Sequence, residues 1–223
     1  GSYFHNGIDV ITNSYGVNVY AVSGGQVVNI ENYNSGDLYW EVAILDAEGY
    51  VWQYHHVNQS SIPSAITNAF NAWKANPTTG GFISAGTLIG TNVQWPTYTF
   101  GYYFHHIHLN ILADGDVYIN PLEFFTPNYD TTPPVIETIG LLKSNAVTSG
   151  TAVSGDYGLY VKAYDFYMST VYDLPPYKIE FSMDGGPWTT TWEFHSFPGG
   201  SNDYTYVNDF YVYPPTCGNY NFR

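Results

Sequence analysis

The chain is poor in cysteine and in basic residues. Cys217 is its only cysteine, and Lys and Arg together number 5 against 19 Asp and Glu. One thiol excludes an internal disulfide and a cysteine metal cluster, so any metal here has to be held by histidines and carboxylates. A formal net charge of −14 argues against nucleic acid as a partner, because phosphates need basic patches. It also disfavours adsorption to anionic membranes. No run of about 20 apolar residues is present, so no membrane insertion is expected. The acidic balance fits a protein working outside a cell, secreted or in the cell envelope. The sequence opens abruptly and closes at Arg223 after a strand-like stretch; it is expected to be a piece of a longer protein.

Aromatic residues and turn formers are plentiful. Tyr numbers 23, Gly 22 and Pro 13, a balance that favours strands separated by turns and sets the expected class as mainly β. A hydrophobic fraction of 44% suffices for a packed core. Residues 18–22, 26–30, 40–45 and 50–57 read as strands, with Asp46-Ala47-Glu48-Gly49 as the hairpin turn before the last. Residues 63–75 change period: Ile66, Phe70 and Trp73 fall on one helical face, and Ser61 or Ser64 is the expected cap. Residues 83–90 read as a short strand with Gly turns. Residues 128–134, ending in Pro133-Pro134, read as a linker, because paired prolines resist both helix and central strand. Beyond it, residues 135–142, 158–164, 177–183 and 204–213 alternate like strands, with a turn at Asp184-Gly185-Gly186.

The histidines carry the chemistry. Tyr102-Tyr103-Phe104-His105-His106-Ile107-His108-Leu109-Asn110-Ile111 reads as one strand, on which His106 and His108 face the same side. Two imidazoles side by side suit a metal ligand with an acid/base neighbour; the plainer reading is two polar residues on a wet face. In His5-Asn6-Gly7-Ile8-Asp9, an extended backbone puts His5 and Asp9 on one face with Gly7 between them. Tyr54-His55-His56-Val57 ends another strand.

In this order the segments resemble those of the lysostaphin/LytM-type zinc metallopeptidases, which cut peptidoglycan peptides. His5-Asn6-Gly7-Ile8-Asp9 is similar to the family's H-x-G-x-D segment, Tyr54-His55-His56 to its Y-x-H and His106-Ile107-His108 to its H-x-H. Residues 20–28 resemble its Gly-Gly turn between strands, and residues 84–90 its stretch ending in Ile-Gly. The resemblance spans about residues 1–127. It implies an antiparallel β-sheet metallopeptidase domain, zinc on His5, Asp9 and His108, and catalytic roles for His56 and His106. Two His and one carboxylate with an open fourth position is a catalytic zinc arrangement, able to activate water and polarise a carbonyl. His55 competes with His56 for the catalytic place, since a shift of one residue changes the strand face. His105 and His55 read as bystanders or as groups that support the site residues from behind, and His195 as an ordinary surface or half-buried residue of the second unit.

Departures from the family fall around the site. Its Gly-rich loop before H-x-H is replaced by bulky residues. Trp95, Tyr98 and Tyr102 are therefore expected to wall a narrow substrate groove, with Tyr102 and Phe104 on the metal side if the strand runs that far. Leu109-Asn110 stands where the family has Phe-Glu, the predicted helix is an insertion, and the strands that precede the first ligand are missing. Residues 135–223 resemble, in pattern only, the immunoglobulin-like β domains attached to secreted bacterial enzymes, a β-sandwich-like unit that is expected to be incomplete. Its Trp188, Trp192 and Phe194 read as core. The expected function is a zinc endopeptidase acting on peptidoglycan or another peptide. The competing readings are a peptidase fold that binds the cell wall or partner proteins without cutting, and a surface structural protein.

Overall fold

The computed structural model describes residues 5–99, 101–125, 132–144, 146–148, 154–166, 173–174 and 176–196. The fold is mainly β, with antiparallel sheets. Asn6–Phe124 forms one compact unit, and the strands from Val135 onward belong to another.

The first unit contains β1 (Ile8–Ile11), β2 (Asn18–Tyr20), β3 (Gly25–Asn32), β4 (Trp40–Leu45), β5 (Val51–His55), α1 (Ser64–Ala75), β6 (Phe82–Ile83), β7 (Leu88–Thr91), β8 (His106–Ala113) and β9 (Val117–Ile119). A seven-stranded sheet runs β1-β8-β5-β4-β3-β6, with β9 also paired to β8, while β2 and β7 pair separately. Residues 83–90 are thus not one strand. β6 and β7 join different sheets across the turn at Ser84 and Thr87, whose backbone groups are hydrogen-bonded.

Alternation sorts the sheet into two faces. Val42, Tyr54 and Leu109 are cross-strand partners on one face, as are Ile44, Trp52 and Ile111 beside them. All six are buried. Each apolar side chain of this kind contributes about 1.5–3 kcal/mol on burial, so this layer holds the sheet together. The opposite face carries Glu41, His55, His108 and Asp9 in one row across four strands.

The register of that row starts at a turn. Asp46 Oδ1 accepts the backbone N–H groups of Glu48 and Tyr50 at 3.0 and 2.9 Å, and its Oδ2 accepts the Trp52 indole N–H at 2.7 Å. Gly49 completes the hairpin at φ 91°, a conformation that favours glycine. A two-strand unit fixed this way sets His55 opposite Glu41.

Helix α1 packs on β3 and β6 through Ile66, which is fully buried, while Phe70 and Trp73 stack at 5.9 Å. Neither Ser61 nor Ser64 caps it. Pro63 occupies the N-cap position without a side-chain cap. The Ser61 hydroxyl instead accepts the Thr91 N–H and donates to the Asn58 carbonyl, tying the helix approach to β7.

In the second unit, β10 (Val135–Lys143), β11 (Ala146–Thr148), β12 (Gly158–Phe166) and β13 (Asp173–Leu174) form a sheet in the order β11-β10-β12-β13. β14 (Lys178–Phe181) and β15 (Thr189–Glu193) form a hairpin across Asp184 and Gly185, both at positive φ. Trp188 is exposed rather than core, and Trp192 stacks with Phe194 at 6.0 Å. Residues 132–134 take no regular structure. The rest of the expected linker and the strand at 204–213 lie outside the described residues.

Candidate metal and catalytic site

The polar face of the sheet gathers the predicted residues. His5, Asp9 and His108 each offer a ligand atom, all within 4.8 Å of one another. Asp9 and His108 are cross-strand partners, with Oδ1 2.9 Å from Nδ1. On its other side His108 Nε2 lies 3.1 Å from Asn6 Oδ1. A carbonyl oxygen only accepts, so the ring proton belongs on Nε2. The Nδ1 lone pair then faces a carboxylate oxygen, and either a second ring proton or a cation has to stand between them. Two imidazoles and a carboxylate are a donor set that suits zinc, and a tetrahedral ion at the usual bond lengths separates its ligand atoms by roughly 3.3 Å. The residues present fit such an ion.

His106 lies two residues before His108 on β8, and its Nε2 is 3.9 Å from Asp9 Oδ1. Its Nδ1–H donates to the Phe104 carbonyl at 2.7 Å. His56 is held in the same way, with Nδ1–H donating to the Leu38 carbonyl at 2.7 Å. In both rings the backbone contact leaves the lone pair on Nε2, the form needed to accept a proton. The two rings meet edge to face at 4.7 Å and are buried. Burial, with His106 beside it, depresses His56 to about 3.

His56 reaches the site by breaking the strand. β5 ends at His55, and His56 has φ 66°. A non-glycine residue there costs roughly 1–2 kcal/mol, offset by hydrogen bonds: His56 O accepts from Val93 N, and Val57 N donates to Trp40 O. The break lets both histidines of the pair approach the same region, with His55 5.5 Å from the His108 ring and His56 6.4 Å from it.

His55 has different surroundings. Asn110 Nδ2 lies 3.3 Å from its Nε2. Its Nδ1 is 3.3 Å from Glu41 Oε2 but off the hydrogen-bonding direction, and finds no hydrogen-bond partner among the described residues. Burial is the first cause that pushes His55 down to about 2, followed by His108 and His56. Burial also pushes Glu41 up to about 7, against the opposing hydrogen bonds from Asn29 and Gln53. Glu41 and Asn110 were not singled out from sequence. Their signal is the strand pattern: Glu41 stands at the level of His55, His108 and Asp9, and Asn110 one pair along that face, opposite Gln53.

Aromatic rings line the histidines. Trp95 packs on His56 at 4.6 Å and on His106 at 4.8 Å. Tyr39 lies 6.0 Å from His56 and Tyr33 lies 4.8 Å from His55. Both tyrosines come from the connection between β3 and β4. The expected strand from residue 102 does not form: β8 begins at His106. Strand parity therefore does not place Tyr102 and Phe104. Phe104 is buried with its ring 4.4 Å from His106, and Tyr102 is 36% exposed. Tyr98 stands 84% exposed. Phe100 lies outside the described residues. His105 Nδ1 accepts the Trp95 backbone N–H at 3.1 Å and so anchors that loop.

No protein-family model and no curated protein matches the chain. Among solved structures, it is similar to a chain from Pseudomonas aeruginosa named as a candidate M23 peptidase. The identity is 19% and the TM-score 0.35, over 56% of this chain and 45% of that one. This chain thus spans less than half the length of that protein.

Proposed function

We propose that the first unit is a zinc-dependent endopeptidase of the lysostaphin/LytM type. The observation that carries this reading is the convergence on one sheet face of His5, Asp9 and His108 with His56 and His106, the last two each bound through Nδ1 to a backbone carbonyl. His5, Asp9 and His108 would hold the ion, which supplies Lewis acidity for a peptide carbonyl and for water. His56 and His106 present Nε2 to the same space. One accepts a proton from the attacking water, and the pair returns a proton to the leaving amine and stabilises developing negative charge. Trp95 keeps both rings in place and excludes water from their outer faces. The strained backbone at His56 supports a functional role, because such conformations persist where the surrounding structure enforces them.

The substrate proposed is a peptide of peptidoglycan, and the location the cell envelope or the exterior. Residues 135–223 are proposed as an immunoglobulin-like β domain joined through residues 128–134, with a spacing or docking role. The test is incubation of zinc-loaded protein with purified peptidoglycan, followed by mass spectrometry of released peptides. Soluble fragments with new amino termini support the reading. Binding to the sacculus with no released peptide supports instead a fold that holds the wall without cutting it.

A further inference from the structure

We infer that Asn6 is a positioning residue for the metal centre, whose amide turns the His108 ring so that Nδ1 is presented to Asp9. This rests on the zinc reading above and extends it to a residue outside the ligand set.

The argument starts at the amide. Asn6 Oδ1 lies 3.1 Å from His108 Nε2, and the Asn6 side chain is also hydrogen-bonded to the Tyr118 hydroxyl on β9. An amide has one accepting end and one donating end. Oδ1 is the end that faces the imidazole, which leaves Nδ2 for the phenol oxygen. The bond to Tyr118 holds the amide in place, the amide oxygen sets the proton on Nε2, and that proton leaves Nδ1 with its lone pair towards Asp9 Oδ1 at 2.9 Å. Histidines that ligate metals commonly donate their second ring N–H to such an acceptor, which fixes the ring and raises its basicity.

The chain is built to hold Asn6 there. A Cβ on Gly7 would run into the Leu109 carbonyl oxygen and Asn110 Oδ1. Glycine at 7 thus lets the segment before β1 lie directly on β8, which carries Asn6 across His108. The glycine between the ligands His5 and Asp9 serves this approach, and the residue before it supplies the acceptor.

The experiment compares zinc affinity, by competition with a chromophoric chelator, in wild type, Asn6→Ala, Asn6→Asp and Tyr118→Phe. Thermal unfolding of each metal-free protein is measured alongside. Asn6→Ala is expected to weaken zinc binding by about 10–100-fold with the metal-free unfolding midpoint unchanged. Asn6→Asp, which keeps an acceptor at the same reach, restores affinity to within a few-fold of wild type. Tyr118→Phe removes a hydrogen bond that holds the amide in place, so it weakens binding less than Asn6→Ala but measurably, and it carries the test if Asn6→Ala fails to fold. Wild-type affinity in both Asn6→Ala and Tyr118→Phe overturns the inference and leaves the metal reading standing. So does loss of affinity in Asn6→Asp equal to that in Asn6→Ala. A wild-type protein that takes up no zinc overturns the metal reading, and this inference with it.

Discussion

Asp9 and His108 stand directly opposite each other on the antiparallel strands β1 and β8, with carboxylate and imidazole 2.9 Å apart. Two of the proposed ligand positions are therefore set by sheet hydrogen bonds and not by loops. The buried layer of Val42, Ile44, Leu109 and Ile111 lies on the other face of the same sheet. Chelation of the metal should leave the strand signal in far-UV circular dichroism intact and lower the melting temperature. At free zinc about 100 times the dissociation constant, the lost stabilisation is about 2.7 kcal/mol. Collapse of the strand signal on chelation would show that the metal, and not the apolar layer, holds the unit together.

His56 and His106 contact each other and are not part of the His5, Asp9 and His108 cluster. His56→Ala and His106→Ala should each keep the metal and lose about 100-fold or more in kcat, as for removal of an acid/base or oxyanion group. Parallel metal analysis and steady-state kinetics check this. Zinc loss in either variant would move that histidine into the ligand set.

Trp95 and Tyr98 should behave differently. Trp95 lies on both His56 and His106, so Trp95→Ala should lower kcat as well as alter the preference between small and bulky peptides. Tyr98 is 84% exposed, so Tyr98→Ala should change KM and leave kcat close to wild type. The readout is kcat and KM on a peptide pair differing in the residue beside the cut bond. Equal effects of the two substitutions would remove the distinction.

Glu41 has a direct pH signature. Its folded value is raised from 4.5 to about 7, chiefly by burial. The folded protein then binds more protons than the unfolded chain between these values. The stability this group contributes is fully present below about 4.5 and is lost as pH rises through about 7. Glu41→Gln removes that loss. The melting temperature of Glu41→Gln relative to wild type should therefore climb between pH 5 and pH 8, by an amount corresponding to about 1–3 kcal/mol. A difference independent of pH would mean that Glu41 is charged and compensated in the fold.

The sheet and the grouping of Asp9, His106 and His108 are legible because they follow period-2 patterns. His106 and His108, two apart on β8, share a face as alternation requires, and Asp9 joins them through the pairing of β1 with β8. What alternation does not carry is the break at His56, where a backbone at φ 66° lets adjacent histidines reach one region. Nor does it show Tyr33, Tyr39 and the Leu38 carbonyl, which approach from a connecting loop. Bulky residues 102–105 looked like strand, but the His106 ring is bonded back to the Phe104 carbonyl and the ladder starts only at His106. The helix was visible from Ile66, Phe70 and Trp73, while its cap was not, because Ser61 spends its hydroxyl on β7 and the Asn58 carbonyl.

The central claim is that His5, Asp9 and His108 together hold one zinc ion. Elemental analysis of zinc per chain after metal loading and desalting tests it most directly, with Asp9→Ala and His108→Ala run beside wild type. The account predicts one zinc in wild type at about 2.0–2.2 Å from its ligands by X-ray absorption, and well below one in either variant. Wild type with no retained zinc, or variants that retain it fully, would contradict the account.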